Sequence, residues 1–129
     1  MNQSRNFNTP KVLRTNPAFP QAVITDNLIF VSGTVGIDTS TDKLVSDNFE
    51  EQAIQAFRNI KTILEEAGSG LNKIVKTTIY MVSGCDPDFK IINKVYSDFF
   101  PNNPPARSAP QVMPFPGGVL ISIECISHS

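Results

Sequence analysis

Apolar residues along this chain recur with two different periods, and the change from one to the other lays out the elements. Near the N-terminus three short runs, KVLRT (11–15), QAVIT (21–25) and NLIFVSG (27–33), predict β-strands separated by Asn, Pro and Asp. The Thr25-Asp26-Asn27 step between the second and third predicts a hairpin turn. Then the period lengthens. Phe49, Ala53, Phe57, Ile60, Leu64 and Ala67 fall on one stripe at helical spacing. Gln52, Gln55, Arg58, Asn59, Lys61 and Glu65 are expected on the opposite, solvated face. Asp47 with Glu50 marks a D-x-x-E start, and Gly68 stands where a C′ residue ends a helix.

KIVKTTIYMV (73–82) is rich in β-branched residues and returns to strand. A second helix is expected from Asp86 as N-cap with Pro87 at N1. Its apolar stripe is Phe89, Ile92, Val95, Tyr96 and Phe99, and Pro101 stops it. ARSAPQV and VLISIECI supply two final strands. The order β-β-β-α-β-α-β-β predicts one α+β domain over residues 11–129, behind an N-terminal tail of residues 1–10, with both helices on one face of the sheet.

Alternation in the last strand sharpens this picture. Val119, Ile121, Ile123 and Cys125 share one side; Leu120, Ser122, Glu124 and Ile126 share the other. The second set places a carboxylate among aliphatic residues, which suits a surface buried against another subunit better than open water. A homo-oligomer with cyclic symmetry is expected.

Composition narrows the function classes. A chain of 129 residues, 40% of them hydrophobic, supports a core without staples. Net charge is −1, so no global basic field draws the protein to nucleic acid or to anionic lipid. Cys85 and Cys125 form no framework and lack metal-site spacing, which points to a reduced compartment and no metal. No apolar run reaches the length of a membrane span. The first residues carry Arg5, Lys11 and Arg14 before the first acid, Asp26, but lack an apolar secretory core. Cytoplasm is the expected location, with a mitochondrial address as the alternative.

Common catalytic signatures are missing. His128 is the sole histidine and is penultimate, where chains fray, which disfavours a Ser-His-Asp triad. There is no Walker loop, dinucleotide fingerprint or His-Glu-x-x-His. PFPGG (114–118) reads as a turn into the last strand. A small polar set remains. Arg107 lies between Pro105 and Pro110 in stiff, extended chain, where a planar guanidinium suits either a substrate carboxylate or a structural acid or carbonyl. Glu124, inside an apolar strand, needs a partner or a raised pKa, and serves either chemistry or an interface salt bridge. Ser32 and Gly33 read as a β-turn unless they approach Arg107. Asn93 reads as an exposed helical residue, and Cys85 as a free surface thiol.

The segments QAV (21–23), LIFVSG (28–33), NIKTILEEAGSGLNKIVKTTIYM (59–81), NKVYSDFFPNNPPARSAPQV (93–112) and ISIECI (121–126) resemble the RidA/YjgF family of imine deaminases, which also carries an endoribonuclease L-PSP label. The resemblance covers nearly the whole chain after Lys11. It implies a chorismate-mutase-like fold with a mixed sheet, a homotrimer around a central β-rich barrel, and clefts between subunits. It also implies hydrolysis of 2-imino or enamino acids, as in 2-iminobutanoate/2-iminopropanoate deaminases, without cofactor or metal. On this resemblance Arg107 binds the substrate carboxylate, Glu124 orients the attacking water, and Ser32, Gly33 and Asn93 line the site. Two positions depart from the family pattern. Its pocket tyrosine is Phe19 here, followed by Pro20, and its PARSCV cysteine is Ala109, which keeps a backbone N–H beside Arg107. Two other functions stay open: a ribonuclease or translation inhibitor, with Lys73, Lys76, Lys90 and Lys94 as a basic cluster, and a non-catalytic sensor of 2-keto acids.

Overall fold

A computed structural model describes residues 3–129. Among these residues nine strands and two α-helices follow one another as β1 (Ser4–Phe7), β2 (Ala22–Thr25), β3 (Leu28–Thr34), β4 (Ile37–Asp38), β5 (Lys43–Leu44), α1 (Phe49–Glu66), β6 (Ile74–Val82), α2 (Lys90–Phe99), β7 (Ala106–Ser108), β8 (Gln111–Val112) and β9 (Ile121–His128). The main sheet runs β1-β2-β3-β9-β6-β7, with β8 continuing along β6 beyond β7. Pairing is antiparallel from β1 to β6, and β6 pairs parallel with β7 and β8. The parallel pairing follows from α2, which carries the chain back across the sheet as a crossover. This is the α+β fold with two helices expected from the pattern, and its sheet is mixed as the resemblance implies.

From Ile121 on the predicted alternation holds residue by residue; Val119 and Leu120 precede β9, and there it is Leu120 rather than Val119 that packs against the core. Ile121, Ile123, Cys125 and Ser127 are buried, whereas Ser122, Glu124, Ile126 and His128 are half-buried. The buried side faces the helices, with α1 over β9 and β3 and α2 against α1. Phe57 is fully buried at the helix–helix contact, its ring 5.1 Å from Phe99, 5.7 Å from Phe100 and 6.0 Å from Tyr96. Burying such a side chain stabilises the fold by about 1.5–3 kcal/mol.

The ends of α1 correct one expectation and bear out another. Its N-cap is Asn48, not Asp47: the Asn48 side chain accepts from Glu51 N at 2.9 Å. At the other end Gly68 has φ 88°, Ser69 N donates to Leu64 O and Gly68 N to Glu65 O. That pair of bonds is a Schellman closure, which favours glycine at its left-handed position.

Gln52 and Asn59 do not lie on a solvated face; both are buried and Gln55 is half-buried. Gln52 Nε2 donates to Ser46 O and Gly118 O, and its Oε1 accepts from Leu120 N. Asn59 Nδ2 donates to Val35 O and Ile37 O, and its Oδ1 accepts from Gln55. These amides satisfy loop backbone that would otherwise be orphaned in the interior. Periodicity assigns polar residues to water by default and has no means of seeing such partners.

Other differences are local. KVLRT is irregular; the edge of β2 pairs instead with Ser4–Phe7, inside the expected tail. Only Val12 of that segment is buried among apolar side chains, and Gln21 Nε2 takes its carbonyl at 2.6 Å. The small β4–β5 hairpin has too few residues to show a period. Helix α2 begins at Lys90 because Phe89 adopts φ 63° and separates it from the Asp86-Pro87 turn. The buried Asp86 carboxylate still accepts from Ile91 N and Ile92 N. Ala109 and Pro110 split ARSAPQV into β7 and β8, since proline lacks the N–H a strand needs. His128 does not fray: it pairs with Leu28, and Ser129 N donates to Asn27 O.

Candidate functional site

Glu124 stands on β9 opposite Thr78 of β6, on the sheet face away from the helices. Its Oε1 accepts from Tyr80 Oη at 2.7 Å. Among the described residues no lysine or arginine ion-pairs with it; the bridges present join Lys11–Glu66, Lys90–Asp88 and Lys94–Asp98. The partner that a carboxylate in an apolar strand needs is therefore a phenol rather than a cation. The same bond is the main reason the Tyr80 hydroxyl titrates above the usual tyrosine value, with burial and the Glu124 charge adding to it.

Ser32 and Gly33 reach this face through an irregularity in β3, where the pairing with β9 shifts between Val31 and Thr34. Gly33 lies so close to Ser122 that a Cβ there would come within 2.8 Å of Ser122 Oγ. Ser32 Oγ donates to Pro20 O at 2.8 Å and Ser32 N to Gln21 O at 2.9 Å, which joins β3 to the Phe19-Pro20 corner. Arg14 braces that corner from the other side, its Nε donating to Phe19 O and its Nη2 to Pro17 O. The Phe19 side chain is 40% exposed. A cavity of about 30 Å³ lies here, bounded by Leu13, Phe19, Ser32 and Gly33 and, from α1 on the helix side, by Asn59 and Ile63. That is room for one or two waters.

Arg107 sits elsewhere. It lies on the short edge strand β7 opposite Thr77, on the helix side of the sheet, with its guanidinium carbon 5.0 Å from the Tyr96 ring centroid. Tyr96 Oη donates to Pro105 O at 3.2 Å and bonds Thr77 Oγ1 at 2.9 Å, so the ring beneath Arg107 is fixed at its hydroxyl end. Burial raises the Tyr96 pKa; the Thr77 bond and the Arg107 charge pull it back down in part. The ring is thus a neutral π-face suited to a cation. No acid ion-pairs with Arg107 among the described residues.

One chain therefore sets Glu124 on the outer face with Ser32 and Gly33 at the β3 irregularity beside it, leaves Phe19 at the corner next to Ser32, and holds Arg107 two strands away from Glu124 on the opposite face. Two strand spacings alone are about 10 Å. Asn93 is exposed on α2, and Ala109 is half-buried against the core between β7 and β8. Nothing in the sequence marks Tyr80, Tyr96 or Ser122 as neighbours of these residues. Strand parity puts Tyr80 on the face of Thr78, but only the register shows that Glu124 is within its reach.

Of the two cysteines, Cys125 lies on the core face as expected and Cys85 differs. Cys85 is half-buried rather than a surface thiol, and burial followed by the Asp86 charge raises its pKa. Cys125 is buried beside Glu124 in sequence but on the opposite face, and burial pushes its thiol up to about 12.

Comparison with known proteins gives a consistent result. A family model described as Endoribonuclease L-PSP matches residues 9–129. The 2-iminobutanoate/2-iminopropanoate deaminase of Rattus norvegicus is 39% identical over 121 residues, 94% of this chain and 87% of that protein. The crystal structure of RidA from the Antarctic bacterium Psychrobacter sp. PAMC 21119 superposes with a TM-score of 0.89 at 34% identity, covering 97% of this chain and 99% of that one. E. coli TdcF, solved with bound serine, superposes with a TM-score of 0.87 at 27% identity, covering 97% and 98%.

Proposed function

The chain belongs to the RidA/YjgF family of reactive-intermediate deaminases, and from that premise we propose that it hydrolyses 2-imino and enamino acids to 2-keto acids and ammonia. The observation that carries this reading is the state of Arg107: a guanidinium stacked on a fixed ring, with no acid ion-paired to it among the described residues. Such a fork suits the carboxylate of a small substrate, which two parallel hydrogen bonds would orient. The serine bound to TdcF carries an amino acid carboxylate of the kind required.

A single chain keeps Arg107 from Glu124, so the reading includes a homotrimer in which Arg107 of one copy meets Glu124 of the next. The outer face supports this. Leu28 and Phe30 stand 37% and 40% exposed on it, close to the half-buried Ile126. Apolar side chains around a carboxylate suit burial against an identical surface.

The chemistry needs little from the protein. The C2 carbon of an iminium is already electrophilic. Arg107 holds the substrate carboxylate, and Glu124 accepts a proton as water adds to C2. The resulting carbinolamine collapses when Glu124 returns that proton to nitrogen: the C–N bond breaks as the C=O bond forms, the hydroxyl proton passes to Glu124 and on to the departing ammonia, and ammonium leaves behind a 2-keto acid. Positioning supplies most of the acceleration.

Adding the protein to a threonine dehydratase reaction should speed release of 2-ketobutyrate, and Arg107→Ala should remove that effect by a factor on the order of 10² or more. Unchanged acceleration by the variant would sink the assignment. The Phe19 side chain, which supplies no hydroxyl at the corner beside Ser32, favours a second reading as a 2-keto-acid sensor. Binding of 2-ketobutyrate by a protein that turns over no imine would select it. A ribonuclease has weaker support, because Lys90 and Lys94 lie 3.6 Å from Asp88 and 3.2 Å from Asp98, which interrupts a basic stripe.

A further inference from the structure

Tyr80 falls in the KTTIYM stretch without an assigned role, yet it makes the one side-chain hydrogen bond found at Glu124 among the described residues. It stands on β6 opposite Ser122, while Glu124 on β9 stands opposite Thr78. The two side chains therefore meet diagonally on the outer face, next to the point where Gly33 approaches Ser122. Both are half-buried. A phenol donating to a carboxylate at 2.7 Å is a short, charge-assisted bond. It occupies Oε1 and leaves Oε2 without a partner among the described residues.

We propose that Tyr80 is a positioning residue for Glu124: its hydroxyl pins Oε1, so that Oε2 is the oxygen presented to the attacking water. The inference rests on the deaminase reading above and deepens it. A free carboxylate turns about its terminal torsion and offers either oxygen; a pinned one offers a single acceptor at a defined place, which is what catalytic geometry needs. Tyr80 keeps its proton throughout, and the raised pKa of its hydroxyl agrees with that role.

The one charged residue on this face of β6 is Lys76, and it makes no ion pair with Glu124. On the same face of β6, Lys76 Nζ is engaged by Thr77 O, Thr78 Oγ1 and Ser108 Oγ. From β3 the face carries Phe30, Ser32 and Gly33, none of them charged. Cys125 lies behind β9, buried and protonated.

The test combines steady-state kinetics of Tyr80→Phe with ultraviolet titration of the tyrosines, of which the chain has only two, in wild type, Tyr80→Phe and Glu124→Gln. Tyr80→Phe should lower kcat about tenfold and leave KM within about twofold, because the carboxylate clamp is untouched. The titration step that Tyr80→Phe abolishes belongs to Tyr80. In Glu124→Gln that step should move down toward the ordinary tyrosine value, since the charged acceptor is gone. An active wild type matched in kcat by Tyr80→Phe overturns this inference alone, as does a Tyr80 step unmoved in Glu124→Gln. A variant that merely melts earlier, with unchanged kcat per folded molecule, overturns it too. A wild type without imine turnover overturns both this inference and the deaminase reading.

Discussion

Ile123 and Glu124 are neighbours in one strand, yet they inhabit two different solvents. Ile123 points into a layer sealed by α1, where side chains are fully enclosed and the strand Cβ atoms meet helix. Glu124 points to the other side, where a tyrosine hydroxyl from the next strand is its partner. The helix side shows how this fold is held together. The outer side instead carries polar groups placed on rigid strands and half-enclosed, the groups on which the proposed chemistry rests. A strand that serves both ends of this division positions its functional groups as firmly as its core, because each outward residue is anchored by two inward ones.

Substitutions at adjacent positions separate the two roles. The largest effect expected is on rate: Glu124→Gln should lower kcat by about 10²–10⁴ if the carboxylate handles the proton of the attacking water, read from single-turnover assays. Its thermal unfolding should stay close to wild type, and a large loss of stability instead would move Glu124 from chemistry to structure. Ile123→Ala should do the reverse, costing about 2–5 kcal/mol in a denaturant titration, because it leaves a cavity under α1. Per folded molecule its activity should survive.

Thiol labelling probes the same division from the cysteines. At pH 8 Cys125 should resist alkylation in the native protein, since its thiol is enclosed and pushed up to about 12. Cys85 should react slowly, and both should react at once on unfolding. The folded state holds the Cys125 proton more tightly than the unfolded chain, whose thiol titrates near 9.0. Its contribution to stability is present below pH 9.0 and is lost as pH rises toward about 12. Equal labelling of both thiols at pH 8 would mean that the helix side is not sealed. The smallest effect belongs to Ser122→Ala, which removes an outward hydroxyl next to Gly33 and should change stability by no more than about 0.5 kcal/mol.

Much of the helix side is written into the local pattern of residues. Phe57, Ile60 and Leu64 recur at helical spacing because they share one buried stripe, and Gly68 follows from the backbone that a helix end requires. The candidate site is legible in part. Arg107 stands out because prolines flank it without a nearby acid, and Glu124 because a carboxylate in an apolar strand is costly. Tyr80 is invisible at that level, since a tyrosine in a strand has nothing in its own segment to mark it. Gln52 and Asn59 mislead for the same reason: what they bond lies in distant loops.

By itself the sequence determined the periods, the helix-ending glycine and the alternation of β9, all properties of residues within a few positions of one another, which short-range sterics and hydrogen bonding decide. Tertiary structure alone decided the register that brings Tyr80 to Glu124, the amides that turn inward to satisfy loop carbonyls, and the placement of Arg107 on the opposite face from Glu124. Those depend on which strand lies beside which and in what alignment, and a slip of one residue in β9 would have turned Glu124 into the core and Ile123 out of it.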